Sequence, residues 1–216
     1  MDVADYQRFA RVPTSDFSDV LGGRGLLPPR IRSVKPGLRA VGPCRTIQCP
    51  RGDASAVFAG IATCGSGEVL LITGVGDDFA CAGELFCSEL LRRGAAGLVV
   101  DGAVRDTESI RRLSLPVFAS AITPCEAEVS GGGQIQVPVR VGAVTVHPGD
   151  VIVGDDDGII AIPPDIAMTI IGEAESKQQV EEKTFRAIQS GKSLTELPPY
   201  GAFFQQFGRI ATSSGE

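Results

Sequence analysis

The stretch VLLITGVGDDFACAGELFCSELLRRGAAGLVVDGAVRD, residues Val69 to Asp106, decides the fold. Val69 to Thr73 is a short uncharged apolar run, the mark of a buried strand. Gly74-Val75-Gly76-Asp77-Asp78 reads as a loop, leading to a helix from about Gly83 to Arg93. Leu85, Phe86, Leu90 and Leu91 are spaced to pack, Arg92 and Arg93 suit a helix C-terminus, and Gly94 ends it. Gly97 to Val100 is a second buried strand. Asp101-Gly102 and Arg105-Asp106 follow, then a short helix to Leu113, and Pro116 to Ala119 makes a third strand. Strand, helix, strand, helix, strand implies parallel pairing through right-handed crossovers.

Upstream, Ser15 to Leu21 suggests a short helix capped by Thr14 or Ser15 and ended by Gly22-Gly23. Pro28-Pro29 keeps the chain extended, and Leu38 to Gln48 alternates as a strand. Asp53 is placed to cap a helix from Ala54 to Thr63. From Glu128 the texture changes to short Val- and Ile-rich runs: Ile135 to Val141, Val144 to Val146, Val151 to Val153 and Ile159 to Ile162. Pro148-Gly149-Asp150 and Asp155-Asp156-Asp157-Gly158 separate them, as in an antiparallel meander. Asp165 starts a long helix through Ala187, stopped by Gly191. After Leu197 the chain reads as a loop, in which Phe203, Phe204 and Phe207 are expected to pack on another subunit. The expectation is an α/β protein with one domain over residues 1–197 and a tail over 198–216.

Composition narrows the function. The 216 residues are 43% hydrophobic and 21% charged, with a formal net charge of −6. No basic footprint exists, so neither RNA nor DNA is an expected partner. No stretch approaches 18 uncharged apolar residues, which argues against a membrane span. Met1 to Arg11 carries four charges and no apolar run, so no signal peptide is expected and the protein is placed in the cytoplasm. Six cysteines form no C-x-x-C pair and read as reduced, buried thiols, Cys81 and Cys87 within a helical pattern. The single histidine, His147, lies in a turn signal and is expected at the surface. No G-x-G-x-x-G follows a strand and no P-loop is present, so dinucleotide and nucleotide readings are weak.

Two places join polar residues to the ends of buried strands, where α/β proteins put their sites. The first is Gly83-Glu84-Leu85, a helix start whose amides attract anions. A substrate carboxylate would rest on the amides of Leu85 and Phe86. The second is Arg105-Asp106. Arginine clamps carboxylates in bidentate fashion, and an aspartate ligates Mg²⁺ or Mn²⁺. The bland readings are acids that favour helix starts and an Arg105 held in an ion pair. Twenty residues separate Glu84 from Arg105, the length of one helix and one strand, which returns the chain to the same sheet edge.

Glu84-x20-Arg105-Asp106, with GLVVDGAVRD at 97–106 and LPVFA at 115–119, resembles the family that joins 4-hydroxy-4-methyl-2-oxoglutarate aldolase to regulator of ribonuclease activity A. Ser18-Asp19, Val41-Gly42-Pro43, 146–150 and 155–160 add to the likeness, which covers roughly residues 14 to 191. The resemblance implies a swivelling β/β/α fold with mixed sheets flanked by helices, and homotrimers or homohexamers with sites between subunits. It implies Asp106 as direct ligand of Mg²⁺ or Mn²⁺, and Arg105 on the oxo and carboxylate oxygens of a small 2-oxo acid. Glu84 would act through water at the same cation. Glu181 or Glu182 of a neighbouring subunit would do the same, and the sequence does not choose between them. The implied reaction is metal-dependent retro-aldol cleavage to pyruvate, with oxaloacetate decarboxylation as a side activity. A non-enzymatic regulator binding a ribonuclease is the alternative; members known only as regulators tend to lack an acid where Glu84 stands. One departure touches substrate preference. Aldolase-type members usually carry an acid three positions after the aspartate, where this chain has Ser109 and places its acid at Glu108. The acidic turn Asp155–Asp157 is better explained as a tight hairpin than as a second metal site.

Overall fold

A computed structural model describes residues 1–207. Two short helices come first, α1 (Val3–Phe9) and α2 (Thr14–Leu21), then a two-residue strand β1 (Arg32–Ser33). The parallel unit follows as β2 (Ala40–Gln48), α3 (Ser55–Ala62), β3 (Val69–Ala82), α4 (Glu84–Arg92), β4 (Gly97–Val104), α5 (Thr107–Ile110) and β5 (Val117–Ile122). Then come β6 (Gln134–Ile135), β7 (Val139–Val141), β8 (Val144–Val146), β9 (Val151–Gly154) and β10 (Ile159–Ile162). The last elements are α6 (Pro164–Gln189), a 3₁₀ turn (Leu194–Glu196) and α7 (Tyr200–Phe207).

The main sheet runs β1-β5-β4-β3-β2-β9-β10, with β6 also paired to β2. Strands β2, β3, β4 and β5 are parallel, as their connecting helices require. The first half of β2 pairs antiparallel with β9 and its second half parallel with β3, so this strand joins the two parts of the sheet. Both faces are covered. Leu70, Ile72, Leu98 and Val100 pack against Val57, Leu90 and Ile110 of the helices. Val69, Leu71, Val99 and Phe118 pack on the other face with the β7–β8 ribbon and Ile152 and Ile159. Burial on both sides explains why these strands are continuously apolar rather than alternating.

Several elements depart from the sequence reading. Strand β3 does not stop at Thr73. It continues to Ala82, paired to β4 through three register shifts, with Gly74 and Gly76 at φ 94° and 89°. These glycines supply the left-handed backbone of bulges, so the residues bend the strand instead of ending it. Cys81 therefore lies in a strand. Strand β4 likewise runs on through Asp101-Gly102 to Val104. In α4 the buried residues are Cys87 and Leu90, while Leu85 is 80% exposed. Thr14 is no cap; its amide and hydroxyl both donate to Asp155 at 2.9 and 2.5 Å. The expected meander divides, because β9 and β10 extend the main sheet while β7 and β8 form a separate ribbon. The segment after Leu197 is helical over α7, where a loop was expected. Beyond Phe207 the expected tail lies outside the described residues.

By contact, residues Met1–Gly172 form one compact unit and the chain from Glu173 a second, the boundary falling within α6. In the first, Asp155 and Asp156 are occupied as structural acceptors, the latter from the Gly37 amide at 2.9 Å, which fits a hairpin turn. No helix among the described residues is long and apolar enough to cross a membrane.

Candidate active site

The ends of β3 and β4 build the site. Arg105 donates its backbone N–H to Ala82 O at 3.0 Å, which carries the strand pairing up to the chemistry. Asp106 then turns at φ 56°, a left-handed conformation that aspartate tolerates better than most side chains. It precedes α5 yet makes no side-chain cap there. Its Oδ2 instead accepts the Glu84 amide at 3.2 Å, across from the start of α4. Gly83 permits this approach, since a Cβ on it would overlap Asp106 Oδ2 and sit 3.1 Å from Arg105 Cγ.

Arg105 Nε lies 3.8 Å from Asp106 Oδ2, and its Nη2 donates to Glu126 Oε1 at 2.8 Å. Its side chain is 34% exposed and that of Asp106 44%, so both reach solvent. Together with Gly83, Leu85, Phe86 and Glu126 they line a cleft of about 160 Å³. The amides of Leu85 and Phe86 are among the four that a helix start leaves without an intrahelical acceptor. Glu84 is exposed, and among the described residues its carboxylate has no hydrogen bond or ion pair; the residue is tied in through its amide. Glu181 and Glu182 lie in the second unit, each in an ion pair on its own helix, with Lys177 and Arg186.

The two buried thiols beside the cleft, Cys81 and Cys87, are held protonated. Cys81 reaches the cleft wall, but burial and then neighbouring Cys49 push its thiol far up. Cys87, below the helix start, is pushed up to about 12, first by burial and then by the charge of Asp106. Protonated thiols are poor nucleophiles. His147 is exposed in its turn, as the sequence indicated.

Among the described residues no group of three or more His, Cys, Asp or Glu is arranged to hold a metal. Asp106 offers a single carboxylate, one oxygen on the Glu84 amide and the other without a partner among the described residues. That donor set fits Mg²⁺ or Mn²⁺, which keep several waters and take one or two protein carboxylates. It does not fit a closed protein cage.

Glu126 is the residue that sequence reading missed. It sits in an irregular segment with no periodicity, and reaches the site because its neighbours bridge to β3. Ala80 N donates to Cys125 O at 2.7 Å, and Ala127 N to Ala80 O at 3.0 Å. Val129, in the same irregular segment, and Phe58, on α3, also line the cleft, and neither stands out in the sequence.

The sequence model of the RraA-like family, described as Aldolase/RraA, matches residues 14–161. The chain belongs to the RraA-like family. The stretch matched holds Glu84, Arg105, Asp106 and Glu126. A Thermus thermophilus protein named 4-hydroxy-4-methyl-2-oxoglutarate aldolase is 34% identical over 151 residues, covering 69% of this chain and 92% of its own. A Halalkalibacterium halodurans protein that carries the same name provisionally is 36% identical over 182 residues, covering 84% and 87%. Among solved structures, Streptomyces coelicolor RraAS2, described as an unusual member of the RNase ES inhibitor RraA protein family, superposes with a TM-score of 0.77. It is 30% identical and covers 86% of this chain and 98% of its own. The RraA-like fold, a mixed sheet flanked by helices, is thus the fold of this chain.

Proposed function

We propose that this RraA-like chain is a carbon–carbon lyase that cleaves 4-hydroxy-2-oxo acids to pyruvate with Mg²⁺ or Mn²⁺, and decarboxylates oxaloacetate as a side reaction. One observation carries the reading: Arg105 and Asp106 leave β4 side by side and meet the α4 N-terminus in one cleft. The names of the relatives support a lyase.

In this reading the substrate carboxylate rests on the amides of Leu85 and Phe86, and Arg105 donates to the 2-oxo oxygen. Asp106 would hold the divalent ion, which supplies Lewis acidity toward the same oxo group. The C3–C4 bond breaks, its electron pair moves toward C2, and Arg105 stabilises the enolate oxygen as negative charge builds there. The 4-hydroxyl loses its proton as the carbonyl fragment leaves, and C3 is protonated to give pyruvate. Glu84, whose amide donates to Asp106 Oδ2 and whose exposed carboxylate has no partner among the described residues, is assigned to proton movement. Assembly as a homotrimer or homohexamer, with Glu181 or Glu182 of a neighbouring subunit completing the site, belongs to the same proposal.

The test is a coupled pyruvate assay with 4-hydroxy-2-oxo acids and oxaloacetate. EDTA should abolish turnover and Mg²⁺ restore it. Asp106→Ala and Arg105→Ala should each lower the rate by at least about 10²–10³, the usual effect of removing a charge-stabilising group. Turnover like the wild type in both variants rejects the site. The likeness to RraAS2 supports a second reading, a regulator of a ribonuclease. A pull-down that retains a ribonuclease, with no metal-dependent turnover, favours it.

A further inference from the structure

Arg105 and Asp106 are adjacent and opposite in charge, so each is a ready partner for the other. Arg105 Nε already lies 3.8 Å from Asp106 Oδ2. One Asp106 oxygen accepts the Glu84 amide, and the other has no partner among the described residues. A guanidinium at liberty to turn would close on that carboxylate, because a forked arginine–carboxylate pair is stronger than a single long contact. Each group would then occupy the other. The arginine would be lost to an oxo oxygen and the aspartate to a cation.

Glu126 holds the guanidinium by a different nitrogen. Arg105 Nη2 donates to Glu126 Oε1 at 2.8 Å, while Nη1 carries no hydrogen bond among the described residues. The Glu126 side chain is 65% exposed, and an ion pair that open adds little to the stability of a fold. Its backbone is nonetheless fixed on both sides. Ala80 N donates to Cys125 O at 2.7 Å and Ala127 N to Ala80 O at 3.0 Å. Glu128 N donates to Gly52 O and Ala54 N to Glu128 O, each at 2.8 Å. An irregular segment is thus stitched to β3 and to the start of α3 around one exposed acid. That anchoring lowers the entropy cost of keeping an arginine in one place.

We infer that Glu126 is a positioning residue: it holds Arg105 off Asp106, so that guanidinium and carboxylate both stay open to ligands in the cleft. This rests on the proposed lyase reading, in which those two groups take the 2-oxo oxygen and the divalent ion. Removing Glu126 then costs rate and cation affinity through lost preorganisation, and leaves folding alone.

The experiment compares the full-length wild type with Glu126→Ala and with Glu126→Gln, which keeps an acceptor of the same shape. In a crystal structure of Glu126→Ala the guanidinium should turn onto Asp106, with two nitrogens within about 3 Å of its oxygens. In the coupled pyruvate assay kcat of this variant should fall at least about tenfold. Calorimetric titration with Mn²⁺ should show its affinity weakened at least about threefold, since the carboxylate is then partly occupied. Glu126→Gln should keep kcat within about threefold of the wild type. All three proteins should unfold at the same temperature. An unmoved Arg105, unchanged kcat or Mn²⁺ affinity in Glu126→Ala, a glutamine variant no better than alanine, or a thermal midpoint that falls with the rate overturns the inference. The two readings fail separately. A wild type that neither releases pyruvate nor binds Mn²⁺ sinks the lyase, and the place of Arg105 in the variant crystal then decides the positioning by itself. Pyruvate release that survives Glu126→Ala, with Arg105 unmoved, does the reverse.

Discussion

Asp106 is held in a left-handed backbone so that one carboxylate oxygen accepts the Glu84 amide while the other is left open. Such a conformation costs a non-glycine residue about 1 kcal/mol or more, and the site retains it because the Glu84 amide and the adjacent Arg105 hold the carboxylate in place. Gly83 is the other half of the device. Its backbone is extended, at φ −150°, so alanine meets no conformational penalty there. A methyl group would nonetheless collide with Asp106 Oδ2. Gly83→Ala should therefore cut pyruvate release by at least about tenfold while the thermal midpoint stays close to the wild type. Equal losses in rate and in folding would show that Gly83 serves the fold rather than the carboxylate. Arg105 and Asp106 were legible in the sequence because they follow a buried strand directly. Glu126 was not, since only the cross-chain bridge to Ala80 gives it a meaning.

Among the elements, the segment that carries Glu126 depends on one buried carboxylate. Asp53 accepts from Ser130 Oγ at 2.6 Å, Ser55 N at 2.7 Å and Gly132 N at 2.9 Å, tying the start of α3 to residues 130–132. Its pKa is held well below the usual carboxylate range, first by the Ser130 hydroxyl and then by Ser55. A depressed folded-state pKa adds stability that is complete above the unfolded value. It is lost as pH falls below about 4 toward the folded value. Asp53→Asn should lower the thermal midpoint at pH 7, and the gap to the wild type should narrow steadily as pH falls below about 4. A gap that does not change with pH would remove the charge from the explanation. The same scale shows why β3 was misjudged. Gly74, Gly76, Asp77 and Asp78 carry the composition of a loop, but Gly76 still pairs with Gly102 of β4, and Ala80 beyond them pairs with Ala103. Whether a glycine bends a strand or ends it depends on a partner that local sequence does not contain.

At the scale of the whole molecule, burial sorts the six cysteines into five and one. Cys44, Cys49, Cys64, Cys81 and Cys87 are buried, and Cys125 is exposed. Burial, and then nearby negative charge, raises the Cys49 thiol to about 11, so the buried set is both inaccessible and protonated at neutral pH. Native protein should take up one maleimide per chain by mass spectrometry at pH 7, and unfolded protein six. Rapid uptake of two or more in the native state would contradict the packing around β3 and α4. The parallel order of β2, β3, β4 and β5 was readable because both sheet faces are covered, and a strand buried on both faces must be apolar at every position. The run from Val69 to Ile72 and that from Leu98 to Val100 therefore announce themselves without any partner in view. The placement of β9 beside β2, and of the 126–132 segment against β3 and α3, follows from contacts between residues far apart in the chain. The sequence by itself determined the parallel strand–helix alternation and the adjacent arginine and aspartate, since each is written in neighbouring residues. Tertiary structure alone decided which distant carboxylate pairs with that arginine and what wall a substrate would meet, because those depend on backbone hydrogen bonds that no local pattern encodes.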